Sequence, residues 1–128
     1  MNENDLLKRT KVFSLRTIKL VDALPNTTAG RSIGGQLIRS GMSVSANYRA
    51  ACRGRSKAEF LAKLGVVEEE ADECCHWLEL IVESGLMAEK LVTPLLKEAN
   101  EITAIMVASK KTTRDGINNR KSKIEIRK

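Results

Sequence analysis

Aromatic side chains make up only 3% of this 128-residue chain, and proline occurs twice. β-Sandwiches and barrels draw on aromatic and β-branched residues and on frequent turns, so both scarcities point away from them. No stretch approaches the roughly 18 uninterrupted apolar residues of a membrane span, and Met1 to Lys11 is polar where a secretory signal needs an apolar run. A cytoplasmic location with no membrane partner is expected. Cysteine occurs three times, at Cys52, Cys74 and Cys75, an odd number without framework spacing, which predicts reduced thiols. Histidine occurs once, at His76. A catalytic triad would have to be built around it, and its flanks carry no nucleophile elbow. Cys74, Cys75 and His76 are consecutive, so on a helix they point about 100° apart and cannot close around one ion. Glu73 and His76 form a single Glu-x-x-His spacing, where a carboxylate metal bundle needs two. No catalytic residue, metal or cofactor is therefore expected, and the chain is not read as an enzyme.

What the chain does have is charge, unevenly distributed. Residues 1–109 hold fourteen basic and fourteen acidic groups, so the net +6 resides entirely in residues 110–128. Within the neutral part, residues 31–57 carry six basic and no acidic side chains, while residues 58–109 carry eleven acidic and three basic ones. Hydrophobic residues, at 42%, suffice for one core.

Apolar periodicity predicts four helices. The first spans about Asp5 to Leu24, with Phe13, Thr17, Leu20 and Leu24 in its stripe, and ends before Pro25. The second spans about Thr28 to Arg53 with Ile33, Leu37, Met42, Val44 and Tyr48, and is rich in small residues (Gly34, Gly35, Gly41, Ser43, Ser45, Ala46). Each helical glycine costs about 1 kcal/mol relative to Ala, a cost that close packing against another helix or another subunit would offset. Gly54 followed by Ser56-Lys57-Ala58-Glu59 reads as a C-cap and a capping box opening the third helix. That helix runs to about Ser84 with an unbroken heptad seam of Phe60, Leu64, Val67, Ala71, Cys74, Leu78 and Ile81, with Trp77 and Leu80 outside it. Thr93-Pro94 reads as the N-cap of a fourth helix ending near Lys110.

These elements give an all-α, antiparallel up-and-down four-helix bundle over residues 1–110, followed by a disordered basic tail over residues 111–128. The short turn at Gly54 predicts a hairpin in which Gly41 and Ser45 face Val67 and Leu64, and in which Arg39 approaches Glu69, Glu70 and Glu73.

Two groups of residues are candidates for binding a polyanion. Arg49, Arg53, Arg55 and Lys57 cluster around the turn between helices two and three. There guanidinium groups and the N-terminus of helix three suit phosphate, although pairing with carboxylates of a neighbouring subunit would explain them equally. Lys110, Lys111, Arg114, Arg120, Lys121 and Lys123 supply the tail.

The run from Gln36 through Arg39-Ser40-Gly41-Met42 and Ala46-Asn47-Tyr48-Arg49 to Arg53, continuing through Arg55-Ser56-Lys57, Glu59-Phe60, Glu68 to Glu73 and Trp77-Leu78-Glu79-Leu80, resembles the bacterial four helix bundle protein family. That family is also described as ribosomal-protein-like or intervening-sequence protein. The resemblance covers about residues 10–110. It implies an up-and-down bundle assembled as a homopentameric ring, without established enzymatic activity. Related bundles serve as accessory proteins of retroelement reverse transcriptases. Under that resemblance Gly41, Ser45, Asn47, Trp77 and Leu80 become interface candidates. RNA, DNA or a nucleic-acid enzyme becomes the expected partner, with a protein scaffold lacking any nucleic-acid role as the alternative.

Overall fold

The computed structural model describes the backbone of residues 1–126 and the side chains of residues 1–117. It contains four helices, α1 (Glu3–Asp22), α2 (Thr28–Cys52), α3 (Lys57–Glu83) and α4 (Glu89–Ile126), and no strand among the described residues. Consecutive helices pack as antiparallel neighbours, and α1 closes the square against α4 more loosely. None of these helices is long and apolar enough to cross a membrane.

Local chemistry sets the ends. Asn2 and Asp5 form a reciprocal capping box, Asp5 N donating to Asn2 Oδ1 at 2.9 Å and Asn2 N donating to Asp5 Oδ2 at 3.2 Å, so α1 starts earlier than periodicity alone suggests. Thr27 caps α2, its Oγ1 accepting from Gly30 N at 3.0 Å. Gly85, at φ 75°, closes α3: its N–H bonds Val82 O at 3.0 Å, and Leu86 N–H reaches Ile81 O at 3.1 Å. This left-handed closure is the Schellman arrangement, which glycine adopts without steric cost.

α4 departs from expectation at both ends. Thr93 is not an N-cap: its hydroxyl donates to Glu89 O at 2.8 Å, one turn back, and Pro94 lies inside the helix. Val92, fully buried, draws the preceding turn onto the bundle, and Pro94 removes one ladder bond close to the helix start. The helical backbone also runs past Lys110, where the sequence leads one to expect a disordered tail, as far as Ile126. Thr113 and Ile117 are half-buried and extend the stripe of Ile102 and Met106, which periodicity did not reveal because the intervening residues are polar. The side chains of residues 118–128 lie outside the described residues.

The core follows the predicted α3 seam. Leu64, Val67, Ala71, Cys74, Leu78 and Ile81 are fully buried, against Leu37 and Val44 of α2 and Val92, Ala99, Ile102 and Met106 of α4. Met42, expected inside, is 46% exposed. The α1 contribution is unusually polar: Thr10, Ser14 and Thr17 are buried, and each hydroxyl is satisfied by a backbone carbonyl, of Leu6, Gly41 and Phe13 respectively.

Burial also holds the thiols protonated. It pushes Cys74 up to about 12, against a smaller opposing effect of the Ser40 hydroxyl, and Cys75 and Cys52 up to about 11. In the unfolded chain a thiol ionises near pH 8.5–9, so proton loss favours unfolding. The stabilisation is complete below that pH and declines as pH rises towards 11–12. The urea midpoint should accordingly hold steady from pH 7 to about 8.5 and then fall, and Cys74→Ala should flatten that decline. A midpoint constant up to pH 11 would contradict it.

Candidate nucleic-acid interface

Where α2 ends and α3 begins, the chain brings five cations together. Arg49 lies in the last turn of α2 and Arg53 is its C-cap. With Leu7 and Lys11 of α1, and Ser45, Ala46 and Cys52 of α2, they line a groove of about 640 Å³. Cys52 also lines an adjoining hollow of about 410 Å³ that contains Arg55, Lys57, Glu3 and Phe60. The two depressions are therefore contiguous around the C-terminus of α2. Lys11 was not foreseen as part of this cluster, because only the α1–α2 packing brings it there.

Arg49, Arg53, Arg55, Lys57 and Lys11 are all exposed, and none forms an ion pair among the described residues. Other arginines behave differently. Arg39 pairs with Glu70, at 3.2 Å, and with Glu73, as the hairpin register predicted, but not with Glu69. Arg9 holds Glu98 with two bonds, of 2.9 and 2.6 Å, and reaches Glu101 at 2.7 Å, tying α1 to α4 across their loose seam. The Arg9 hydrogen bond keeps the Glu98 carboxyl below the usual carboxylate range. The internal ion pairing expected of α2 thus accounts for Arg39 and leaves the cluster at its end unneutralised.

The N-terminus of α3 contributes less to an anion site than its position suggests. Ser56 Oγ accepts from Glu59 N at 3.1 Å, while the Glu59 carboxylate accepts from Arg55 N at 2.6 Å instead of from Ser56, so the box is displaced by one residue. An acidic group already occupies the positive end of the helix dipole. The Arg49–Arg53–Lys11 groove, lined by no carboxylate, is the better seat for phosphate.

The tail candidates divide. Lys110 is half-buried, with Nζ 2.8 Å from Glu68 Oε1; that buried oxygen has no well-directed hydrogen bond, so the pairing is chiefly coulombic. Lys111 and Arg114 are exposed on α4. The side chains of Arg120, Lys121 and Lys123 lie outside the described residues.

The interface candidates divide as well. Gly41 is buried and faces α1, not Val67 of α3: a Cβ there would collide with Thr17 Cγ2 and lie 2.9 Å from Thr17 Cβ. Ser45, expected opposite Leu64, likewise faces α1, with Oγ 2.6 Å from Ser14 Oγ. Helical position relative to Leu37 decides this, since Gly34, Gly41 and Ser45 share one side of α2 whereas Ser40, which bonds Cys74, is on the other. Gly41 therefore makes its close approach inside one bundle and offers no surface to a second copy. Asn47 is half-buried and donates to Ser43 O and Oγ on its own helix. Trp77, half-buried, donates from Nε1 to Glu73 at 3.0 Å, and Leu80 is also half-buried.

Comparison with known proteins places this geometry in context. The model of the family described as 23S rRNA-intervening sequence protein matches residues 2–108. Among solved structures, the chain is similar to a protein with unknown function from the S23 ribosomal protein family of Bacteroides thetaiotaomicron. The two share 28% sequence identity and a TM-score of 0.80, over 87% of this chain and 99% of that one. No curated protein matches the chain. Neither description names an enzyme.

Proposed function

Since this chain belongs to the 23S rRNA-intervening sequence protein family, we propose that it is a non-enzymatic, cytoplasmic, self-associating bundle that binds RNA through the basic end of α2. The observation that carries this proposal is the convergence of Lys11, Arg49 and Arg53 on one open groove, with Arg55 and Lys57 beside it and no carboxylate neutralising the first three. Such an array suits a phosphate backbone.

Self-association, as the pentamer that the family resemblance implies, is supported by the separation of charge between the two hairpins. Residues 1–56 carry ten basic and three acidic groups, and residues 57–109 four basic and eleven acidic. Two such bundles attract when the α1–α2 face of one, clear of its Lys11–Arg49–Arg53 end, meets the α3–α4 face of the next, a head-to-tail contact that gives a ring where its rotation closes. Light scattering across a salt series tests this: five copies at low salt support it, and a monomer at every salt refutes it.

The test of RNA binding is affinity for a short RNA duplex over a salt series, for the intact chain and for one ending at Ile117. That end point retains Lys110, Thr113 and Ile117, which pack on the bundle, and removes Arg120, Lys121, Lys123, Arg127 and Lys128. Five cations at the α2 end give a log K against log salt slope of about −4. The truncated chain is expected to keep that slope and the intact chain to exceed it. If the truncated chain does not bind, the tail alone carries any affinity and the groove assignment fails.

A further inference from the structure

The end of the bundle remote from Arg53–Lys57, where α1 finishes and α4 begins, carries a different kind of surface. Leu20 and Ala23 of α1 face Met87, Leu91, Pro94 and Leu95 across an open cleft of about 370 Å³. The cleft exists because α1 and α4 are the least closely packed neighbours in the bundle. Its lining is mostly apolar, and Leu91 is 61% exposed, the largest fraction after Met1 for a large apolar side chain among the described residues. Two cations, Arg16 and Lys19, stand on the α1 rim, and no acidic residue lines the cleft. Glu98, the nearest α4 carboxylate along the same seam, is already held by two nitrogens, Nε and Nη2, of the Arg9 guanidinium. An apolar floor is wrong for phosphate, and a cationic rim without a carboxylate is wrong for a basic partner.

We propose that this cleft is a docking site for an acidic amphipathic helix of a second protein. The helical walls run from residue 16 to 22 on α1 and from 89 to 95 on α4, each about 9 Å at 1.5 Å per residue, close to the length of two helical turns, with Ala23 and Met87 extending them at the bundle end. Two turns present apolar anchors at i, i+4 and i+7, which meet Leu20, Leu91 and Leu95, while carboxylates along one flank meet Arg16 and Lys19. Met87 adapts the floor to anchors of differing shape. Because the basic groove lies at the other end of the helices, the protein can hold RNA and this partner at once. The cleft does not depend on the RNA assignment, and either can fail alone.

The experiment uses the full chain as bait for a displayed library of peptides of about twelve residues, patterned with apolar residues at i, i+4 and i+7 and random elsewhere. Enriched sequences are expected to carry Asp or Glu beside the anchors. A synthetic peptide of that sequence should bind at least about tenfold more weakly to Leu91→Glu and to Arg16→Glu/Lys19→Glu, and unchanged to Arg49→Glu/Arg53→Glu. All of these side chains are exposed, and circular dichroism checks that each variant keeps its fold. Absence of enrichment, enrichment without acidic residues, or binding indifferent to Leu91→Glu overturns the proposal. So does conversion of an oligomer to a monomer by Leu91→Glu, which would make a second copy of this chain the occupant.

Discussion

Gly41→Leu is expected to abolish folding, and Gly41→Ala to destabilise the bundle by about 2 kcal/mol, although Gly→Ala inside a helix ordinarily stabilises by about 1 kcal/mol. The sign reverses because of Thr17. A Cβ on residue 41 collides with Thr17 Cγ2, and Thr17 Cβ itself is 2.9 Å away. Thr17 cannot swing aside: it is fully buried, β-branched, and its hydroxyl is bonded to Phe13 O at 2.9 Å. Relief therefore requires α1 to move off α2, which would strain the Ser14 hydroxyl bond to Gly41 O and open the core. A leucine adds three more carbons at the same point, and a bundle of ordinary stability does not tolerate that overpacking. Two other helical glycines serve as controls. A Cβ at Gly35 or Gly65 meets nothing within 4 Å, so Gly35→Ala and Gly65→Ala should each stabilise by about 1 kcal/mol. Urea denaturation of the three alanine variants gives the comparison directly, and circular dichroism shows whether Gly41→Leu folds. Thr17→Gly in the Gly41→Ala background should recover much of the loss, with a coupling of about 1 kcal/mol or more. A Gly41→Ala variant as stable as the parent would mean that the contact with Thr17 is not tight.

The second large effect concerns RNA. Arg49→Glu/Arg53→Glu should weaken binding of an RNA duplex about 100-fold at moderate salt, equivalent to two charge-assisted contacts of about 1.5 kcal/mol each. The slope of log K against log salt should become shallower by about 2. Both side chains are exposed and make no ion pair among the described residues, so stability should be nearly unchanged, with a small loss from removing Arg49, a cation complementing the C-terminal end of the α2 dipole. Arg39→Glu is the matched control: it removes a basic group from the same helix, but one already neutralised by Glu70 and Glu73, and should affect RNA affinity far less. Because Arg39→Glu changes the charge by half as much as the double variant, a loss of about half the size on a logarithmic scale would indicate a general response to net charge instead of a groove.

The contrast between Arg39 and Arg49 shows what could be read from the chain alone. Both are basic residues of one helix in a stretch without acids. The hairpin register identified the carboxylates within reach of Arg39. Nothing in the sequence could show that Arg49 points toward α1, whose nearest contribution to the groove, Lys11, is 38 positions away along the chain. Gly41 was similarly recognisable as a point of close approach while its partner was misassigned. Spacing from a turn gives the level of a residue along a helix but leaves its direction around the axis to be settled by the neighbours. The apolar cleft at Leu91 is illegible in the chain for a related reason: Thr93-Pro94 resembles a helix start so strongly that the spacing places the fourth helix after Leu91.

The sequence by itself determined the four-helix architecture, the cap at Ser56, and the α3 seam that forms the core, because periodicity and capping are short-range properties of consecutive residues. Only the tertiary structure decided which side of α2 meets α1, which cations remain unpaired, where α1 and α4 part to leave a cleft, and that Thr113 and Ile117 continue the packed stripe. Each of these depends on the relative rotation of helices that are distant in sequence, and that rotation is settled by the packing of all four together.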